Sequence, residues 1–219
     1  MSAHDLILFD LDGTLSDPLV GIGRSINYAL EHFGFAPLEL ARLAAFVGPP
    51  IDETFMQLTG VTSEADVHAL VAKYRERYSD VGYSENVLYP DVADAIVHLA
   101  NAGVPLGICT SKREDFADRI LQMFGLRTHF QIVSGGDIGI PKWQQLEALV
   151  AAGRVGPTAV MVGDRATDLV AAHRNGLTSA AVLWGYGSEA ELAREQPRYV
   201  FESAVRLKEL AGRGGCCCA

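Results

Sequence analysis

Two aspartates, Asp10 and Asp12, stand two residues apart directly after the apolar run Leu6-Ile7-Leu8-Phe9, and Gly13 and Thr14 follow them. The run reads as a buried strand. A spacing of two points both carboxylates the same way at its carboxyl end if the strand continues. Gly13 permits a tight turn there. Two neighbouring carboxylates repel, so both stay ionised only where a cation or hydrogen bonds compensate; otherwise one keeps its proton. That asymmetry suits attack on phosphorus. One acid, ionised and held by a metal, is the nucleophile, and the other shuttles a proton. The plainer alternative is a solvated turn, because Asp-Gly is common in turns.

Three more polar clusters follow apolar runs. Thr110-Ser111-Lys112 comes after Val104–Cys109. A hydroxyl and backbone N–H groups at a strand-to-helix junction can cradle phosphate oxygens, or simply cap the helix. Lys142 lies in Ile140-Pro141-Lys142-Trp143. A lysine at a helix start opposes the macrodipole, so an anion to neutralise is a reason for it, unless it is exposed. Gly163-Asp164-Arg165-Ala166-Thr167-Asp168 follows Val160-Met161-Val162. Asp164 stands at the strand end and Asp168 one helical turn beyond, where the dipole favours acids in any case. Asp10, Asp12 and Asp164 together would supply hard oxygen ligands for Mg2+, with waters and a substrate phosphate completing an octahedron.

The elements that must position these groups are legible as alternation. Continuous apolar runs at Asp5–Asp10, Val104–Thr110, Gln131–Val133, Ala159–Gly163 and Ser179–Leu183 read as strands covered on both faces. Helical spacings lie between them: Val92, Ile96 and Leu99 before Gly103; Phe116, Ile120, Leu121 and Phe124 before Gly125; Leu169 and Ala172 before Gly176. Such alternation means an α/β fold with a parallel, doubly wound sheet. In sheets of this kind ligands bind beyond the carboxyl ends of the strands, where all four clusters fall.

Residues 17–83 break the rhythm and read as wholly helical. Asp17-Pro18 is a good helix start. Ile22, Ile26, Ala29, Leu30 and Phe33 give one apolar face, and Val67, Leu70, Val71, Tyr74, Tyr78 and Val81 give another, with a turn at Gly48-Pro49-Pro50 between. This predicts a small all-helical cap over 17–83 inserted into a Rossmann-like core of residues 1–16 and 84–211, with a flexible tail over 212–219. Arg75 or Arg77 on the second face can reach a substrate anion or belong to a solvated surface.

The chain has 219 residues and a formal charge of −9, with 49% hydrophobic and 21% charged residues. This is a globular balance rather than a disordered one. The acidic excess argues against nucleic acid as a partner, since no basic stripe is available to neutralise a phosphate backbone. No apolar run approaches the roughly 20 residues needed to span a bilayer, and the N-terminus lacks a signal-peptide layout. Cys109 sits in an apolar run and reads as core. Cys216, Cys217 and Cys218 crowd the tail, which is no disulfide framework, so a cytoplasmic protein is expected. The terminal Cys-Cys-Cys-Ala lacks the aliphatic residues and basic run of a prenylation signal. The six histidines, at 4, 32, 68, 98, 129 and 173, have no metal-ligand spacing. Gly21-Ile22-Gly23 lacks the third glycine of a dinucleotide loop.

With the four clusters in order, the chain resembles phosphatases of the haloacid dehalogenase superfamily from about residue 5 to 210. Gly48-Pro49-Pro50, Tyr89-Pro90-Asp91-Val92 and Trp184-Gly185-Tyr186-Gly187 resemble the phosphoglycolate phosphatase-like group within it. The resemblance implies Asp10 as nucleophile forming an aspartyl-phosphate. It implies Asp12 as the acid that protonates the leaving oxygen and then activates water, with its backbone carbonyl as a further metal ligand. Thr110 and Ser111 would bind the phosphoryl group, Lys142 would balance charge on Asp10 and the phosphate, Asp164 would hold Mg2+, and Asp168 would support it from behind. One departure is that proline often follows the lysine in relatives, whereas here Pro141 precedes it. The implied substrate is a small phosphorylated metabolite, 2-phosphoglycolate first, with nucleoside monophosphates, sugar phosphates and pyrophosphate as alternatives. A phosphomutase, a dehalogenase or a non-enzymatic phospho-acceptor could share parts of this pattern. The second acid, Asp164 and the inserted cap count against the last two.

Overall fold

The computed structural model describes residues 4–136 and 139–212. The cysteine tail, Cys216 to Cys218, lies outside the described residues. In chain order the elements are β1 (Ile7–Phe9), β2 (Ser16–Asp17), α1 (Leu19–His32), α2 (Leu40–Leu43), α3 (Ile51–Thr59), α4 (Glu64–Asp80), β3 (Val87–Leu88), α5 (Val92–Asn101), β4 (Leu106–Thr110), α6 (Glu114–Met123), β5 (Ile132–Gly135), α7 (Lys142–Ala151), β6 (Val160–Gly163), α8 (Ala166–Arg174), β7 (Thr178–Val182), α9 (Glu189–Arg194) and β8 (Tyr199–Phe201).

Six strands form one parallel sheet in the order β5-β4-β1-β6-β7-β8. The first strand is therefore central. Ile7 pairs with Leu106 on one side and Val160 on the other. Alternation along the strand sends Ile7 and Phe9 into one hydrophobic cluster and Leu6 and Leu8 into another. The first cluster is closed by Val92, Ile96 and Leu99 of α5 and by Ile120 and Leu121 of α6. The second is closed by Leu146 and Leu149 of α7 and by Ala171 and Ala172 of α8. Helices on both faces explain why the strands are apolar at every position. Chain order runs outward from β1 in both directions, first through β4 and β5, then through β6, β7 and β8. The strand order thus reverses beside β1, where such sheets open a crevice.

The anticipated glycines after α5, α6 and α8 (Gly103, Gly125 and Gly176) all have positive φ, as helix-ending residues do. β8 was not legible in the sequence. Its three residues sit on the sheet edge, and only Phe201 is buried.

Helices α1 to α4 build a separate cluster around Ile22, Ile26, Leu30, Phe55, Leu70, Tyr74 and Tyr78, which Phe116 of α6 joins from the sheet side. Two expected members fall outside it. Phe33 and Val81 are exposed, because α1 stops at His32 and α4 at Asp80 and each side chain leaves its helical face there. The stretch 17–83 is also not helical to its edge, since Asp17 belongs to β2, which pairs antiparallel with β3. Chain entering and leaving the helical unit is thus tied side by side. The Asp17 carboxylate still accepts from Leu19 N at 2.9 Å, so it caps the first turn as its type suggests.

Because Phe9 is wholly buried between two strands and under two helices, Phe9→Ala is expected to cost about 3–5 kcal/mol. Val87→Ala, at a position 62% exposed, should change stability by less than about 0.5 kcal/mol. Urea melts of the two variants check this; similar losses in both would contradict the burial assignment.

Candidate active site

The carboxyl ends of β1, β4 and β6 bring the four sequence clusters together. Asp10 leaves β1 with its amide bonded to Val162 O at 2.9 Å. One of its carboxylate oxygens accepts from Leu11 N at 2.8 Å, and the other lies 2.9 Å from Lys142 Nζ. Lys142 opens α7, and Pro141 before it leaves the ammonium aimed inward, with only 3% of the side chain exposed. Its second partner is the fully buried Asp168. Burial works against the Lys142 charge, but Asp10 and Asp168 overcome it and hold the ammonium firmly protonated.

Asp164 stands just after β6. Thr14 Oγ1 donates to one of its oxygens at 2.9 Å and Tyr186 N to the other at 2.8 Å. Close backbone approach makes this possible. A Cβ on Gly13, whose φ is +85°, would lie 2.3 Å from an Asp164 oxygen, and one on Gly185 would lie 2.3 Å from Asp164 Cβ. Asp168 accepts from Arg165 N at 3.0 Å with its remaining oxygen.

Oxygens of Asp10, Asp164 and Asp168 lie within 4.8 Å of one another, all buried. Burial raises the pKa of Asp164 to about 7, with Asp168 and Asp10 adding repulsion. Burial also raises that of Asp168 to about 6, against the pull of Lys142. Three buried oxygen donors, short of positive charge, fit a hard divalent cation.

The Asp12 carboxylate stands outside this cluster of three side chains. It turns the other way, to Lys112 Nζ at 2.7 Å. Asp168, expected behind the cluster, stands within it. The reason is local: Lys112 follows β4 and also donates to Tyr78 Oη of α4 at 2.7 Å, which offers Asp12 a charged partner under the helical unit. Burial raises the Asp12 pKa, Lys112 opposes this, and Asp10 adds to it. The other Asp12 oxygen is buried without a hydrogen-bond partner. Thr110 is buried at the end of β4, its carbonyl held by Gln145 Nε2 at 3.3 Å, and Ser111 is exposed beside it. Both border a cavity of about 100 Å³ that Asp10, Asp12 and Lys112 share with Tyr74, Arg75 and Tyr78 of α4.

Three contributors were missed in the sequence. Thr14 lay inside the first motif, but its partner is 150 residues away. The Tyr186 amide offered no side-chain signal at all. Arg165 reaches across to Val47 O at 2.9 Å and so ties the loop after β6 to the helical unit.

The family model for haloacid dehalogenase-like hydrolases matches residues 7–182. A 5'-nucleotidase of Pseudomonas aeruginosa is 36% identical over 208 residues, 93% of this chain and 94% of that one. A phosphoglycolate phosphatase of Chromobacterium violaceum is 31% identical over 203 residues, 86% of this chain and 89% of that one. The solved structure of protein tyrosine kinase A from Mycobacterium tuberculosis superposes with a TM-score of 0.81 at 33% identity, covering 95% of this chain and 98% of that one. The chain belongs to the haloacid dehalogenase-like hydrolases and is a phosphatase of that family.

The raised carboxyl pKa values fix a pH dependence. A carboxyl whose pKa is higher folded than unfolded stabilises the fold in its protonated form. That contribution is full below the ordinary carboxylate range and is lost as pH rises toward 7. A cation that takes the place of the protons is then most stabilising where protons are scarce. Mg2+ should raise the melting temperature clearly at pH 8 and little at pH 5, as followed by calorimetry. Equal shifts at both pH values would contradict this.

Proposed function

We propose that the chain is a Mg2+-dependent phosphatase that hydrolyses a small phosphomonoester through an aspartyl-phosphate on Asp10, with 2-phosphoglycolate as first candidate. The observation that carries this reading is the separation of the two acids. Asp10 is paired with Lys142 at 2.9 Å, while Asp12 is buried, raised in pKa and borders the cavity under the helical unit.

Asp10 attacks phosphorus with one of its two carboxylate oxygens, which the Leu11 amide and Lys142 hold in place from either side. As the bond from phosphorus to the leaving oxygen breaks, Asp12 gives that oxygen its proton. Asp12 then takes a proton from the water that attacks the aspartyl-phosphate, which releases phosphate and restores Asp10. Thr110 and Ser111, at the end of β4, bind the phosphoryl oxygens, and Lys142 neutralises charge on the phosphate and Asp10 together. Asp10, Asp164 and the Asp12 carbonyl would hold Mg2+, with Asp168 fixing Lys142 beside them. The bound cation would supply the positive centre that lets two anions meet.

The helical unit acts as the cap over residues 17–83, with the core formed by 1–16 and 84–211. Its α4 roofs the cavity next to Asp12, so closing it excludes water from the first step. A cavity of about 100 Å³ suits a leaving group of a few heavy atoms. A nucleoside would have to spread into the neighbouring groove of about 430 Å³ between Pro49, Pro50, Ile140 and Trp143. That groove supports 5'-nucleotides as a second reading, in keeping with the P. aeruginosa relative.

Phosphate release from 2-phosphoglycolate, 5'-nucleotides and sugar phosphates, with and without EDTA, tests the reading. Activity should vanish with EDTA and return with Mg2+. Asp10→Asn should lose at least about 10⁴-fold in kcat, and Asp12→Asn about 10²- to 10⁴-fold. Near-normal turnover by folded Asp10→Asn would remove the nucleophile assignment.

A further inference from the structure

Three cationic side chains border the cavity next to Asp12: Arg75, Lys112 and Arg113. Two are engaged. Lys112 is shared between Asp12 and Tyr78, and Arg113 pairs with Asp115 at 2.9 Å. On the same helix, Arg77 is taken by Glu85 at 2.9 Å and Lys73 by Glu76. Arg75 alone of this group has neither an ion pair nor a hydrogen bond among the described residues, although its helix carries two such pairs. Its neighbour Tyr74 is 7% exposed and borders the same cavity, and its phenol likewise has no hydrogen-bond partner among the described residues. A hydroxyl open to the cavity is a donor free to take a ligand oxygen, and a part-buried guanidinium bordering the same cavity is suited to an anion.

We propose that Arg75 is the specificity-determining residue of this phosphatase and that it reads a carboxylate on the leaving group, with the Tyr74 hydroxyl as a second donor. The inference rests on the phosphatase reading and goes further by naming the chemistry of the group attached to the phosphate. Both residues lie on α4 of the helical unit, whereas Thr110, Ser111 and Lys142 belong to the sheet unit. The phosphoryl group and the carboxylate of one substrate would therefore be held from opposite sides. That couples binding of the right leaving group to closure over Asp12. Asp52 borders the same cavity with one buried oxygen lacking a hydrogen-bond partner.

The test compares 2-phosphoglycolate with its uncharged isostere, in which the carboxylate is a carboxamide, using the full chain with Mg2+. Wild type should prefer the carboxylate by roughly 10- to 100-fold in kcat/KM. Arg75→Met should collapse that preference to within about 3-fold, and Arg75→Lys should restore part of it. Tyr74→Phe should reduce it less. Arg42→Met, an exposed change elsewhere on the helical unit, should leave the preference intact. Wild-type turnover of both esters without preference, or an Arg75→Met enzyme that keeps the full preference, overturns the assignment of Arg75 while the phosphatase reading stands. No phosphate release from either ester or from an aryl phosphate overturns both.

Discussion

The site depends on one buried ammonium. Lys142 is almost wholly removed from water, and such a charge persists only with close, hydrogen-bonded partners. It has two, Asp10 and Asp168. Asp164 brings a third carboxylate into the same few ångströms. With all three ionised, three negative charges against one positive leave two negative charges, the complement of one divalent cation. Removing Lys142 would leave three like charges in a buried space with nothing fixed to hold them. The lysine thus offsets one of the three charges and fixes Asp10 and Asp168 on either side of it.

The geometry that brings these groups so close is a property of backbone more than of side chains. The loop after β1 and the loop before α9 both press on Asp164, and only glycines at 13 and 185 leave room for it. Gly163 does the same for Asp168, whose carboxylate would collide with any Cβ there. Parallel strands β1, β4 and β6 deliver their ends to one plane because their register is tight, with Phe9 beside Ile108 and Val162. A sheet covered on both faces is stiff enough to hold oxygens at fixed separation, which is what phosphoryl transfer asks of a protein.

A second, looser contact set ties the chemistry to the helical unit. Lys112 touches Asp12 and Tyr78 at once, and Arg165 reaches Val47 from the loop that carries Asp164. Both reach from the sheet unit to groups on the helical unit. These two contacts, with the paired strands β2 and β3 where the chain crosses, link Asp12 and the loop that carries Asp164 to the helical unit.

Much of this was written in the sequence as pattern. Apolar runs located five of the six sheet strands, and the four polar clusters fell at their ends because ligands of open sheets bind there. Lys142 was conspicuous because a lysine is unwelcome at a helix start. What could not be read was partnership over distance. The pairing of Asp12 with Lys112 rather than with the other acids depends on how the helical unit packs, and Thr14 with Asp164 depends on the sheet order. Phe33 and Val81 matched the apolar periods, yet their helices end just before them. The central claim is that Asp10 itself takes up the phosphoryl group. Acid quenching during turnover, borohydride reduction of the trapped acyl phosphate and peptide mapping by mass spectrometry test it most directly. The account predicts reduction at Asp10 alone; modification at Asp12 or Asp164 instead, or none during active turnover, would contradict it.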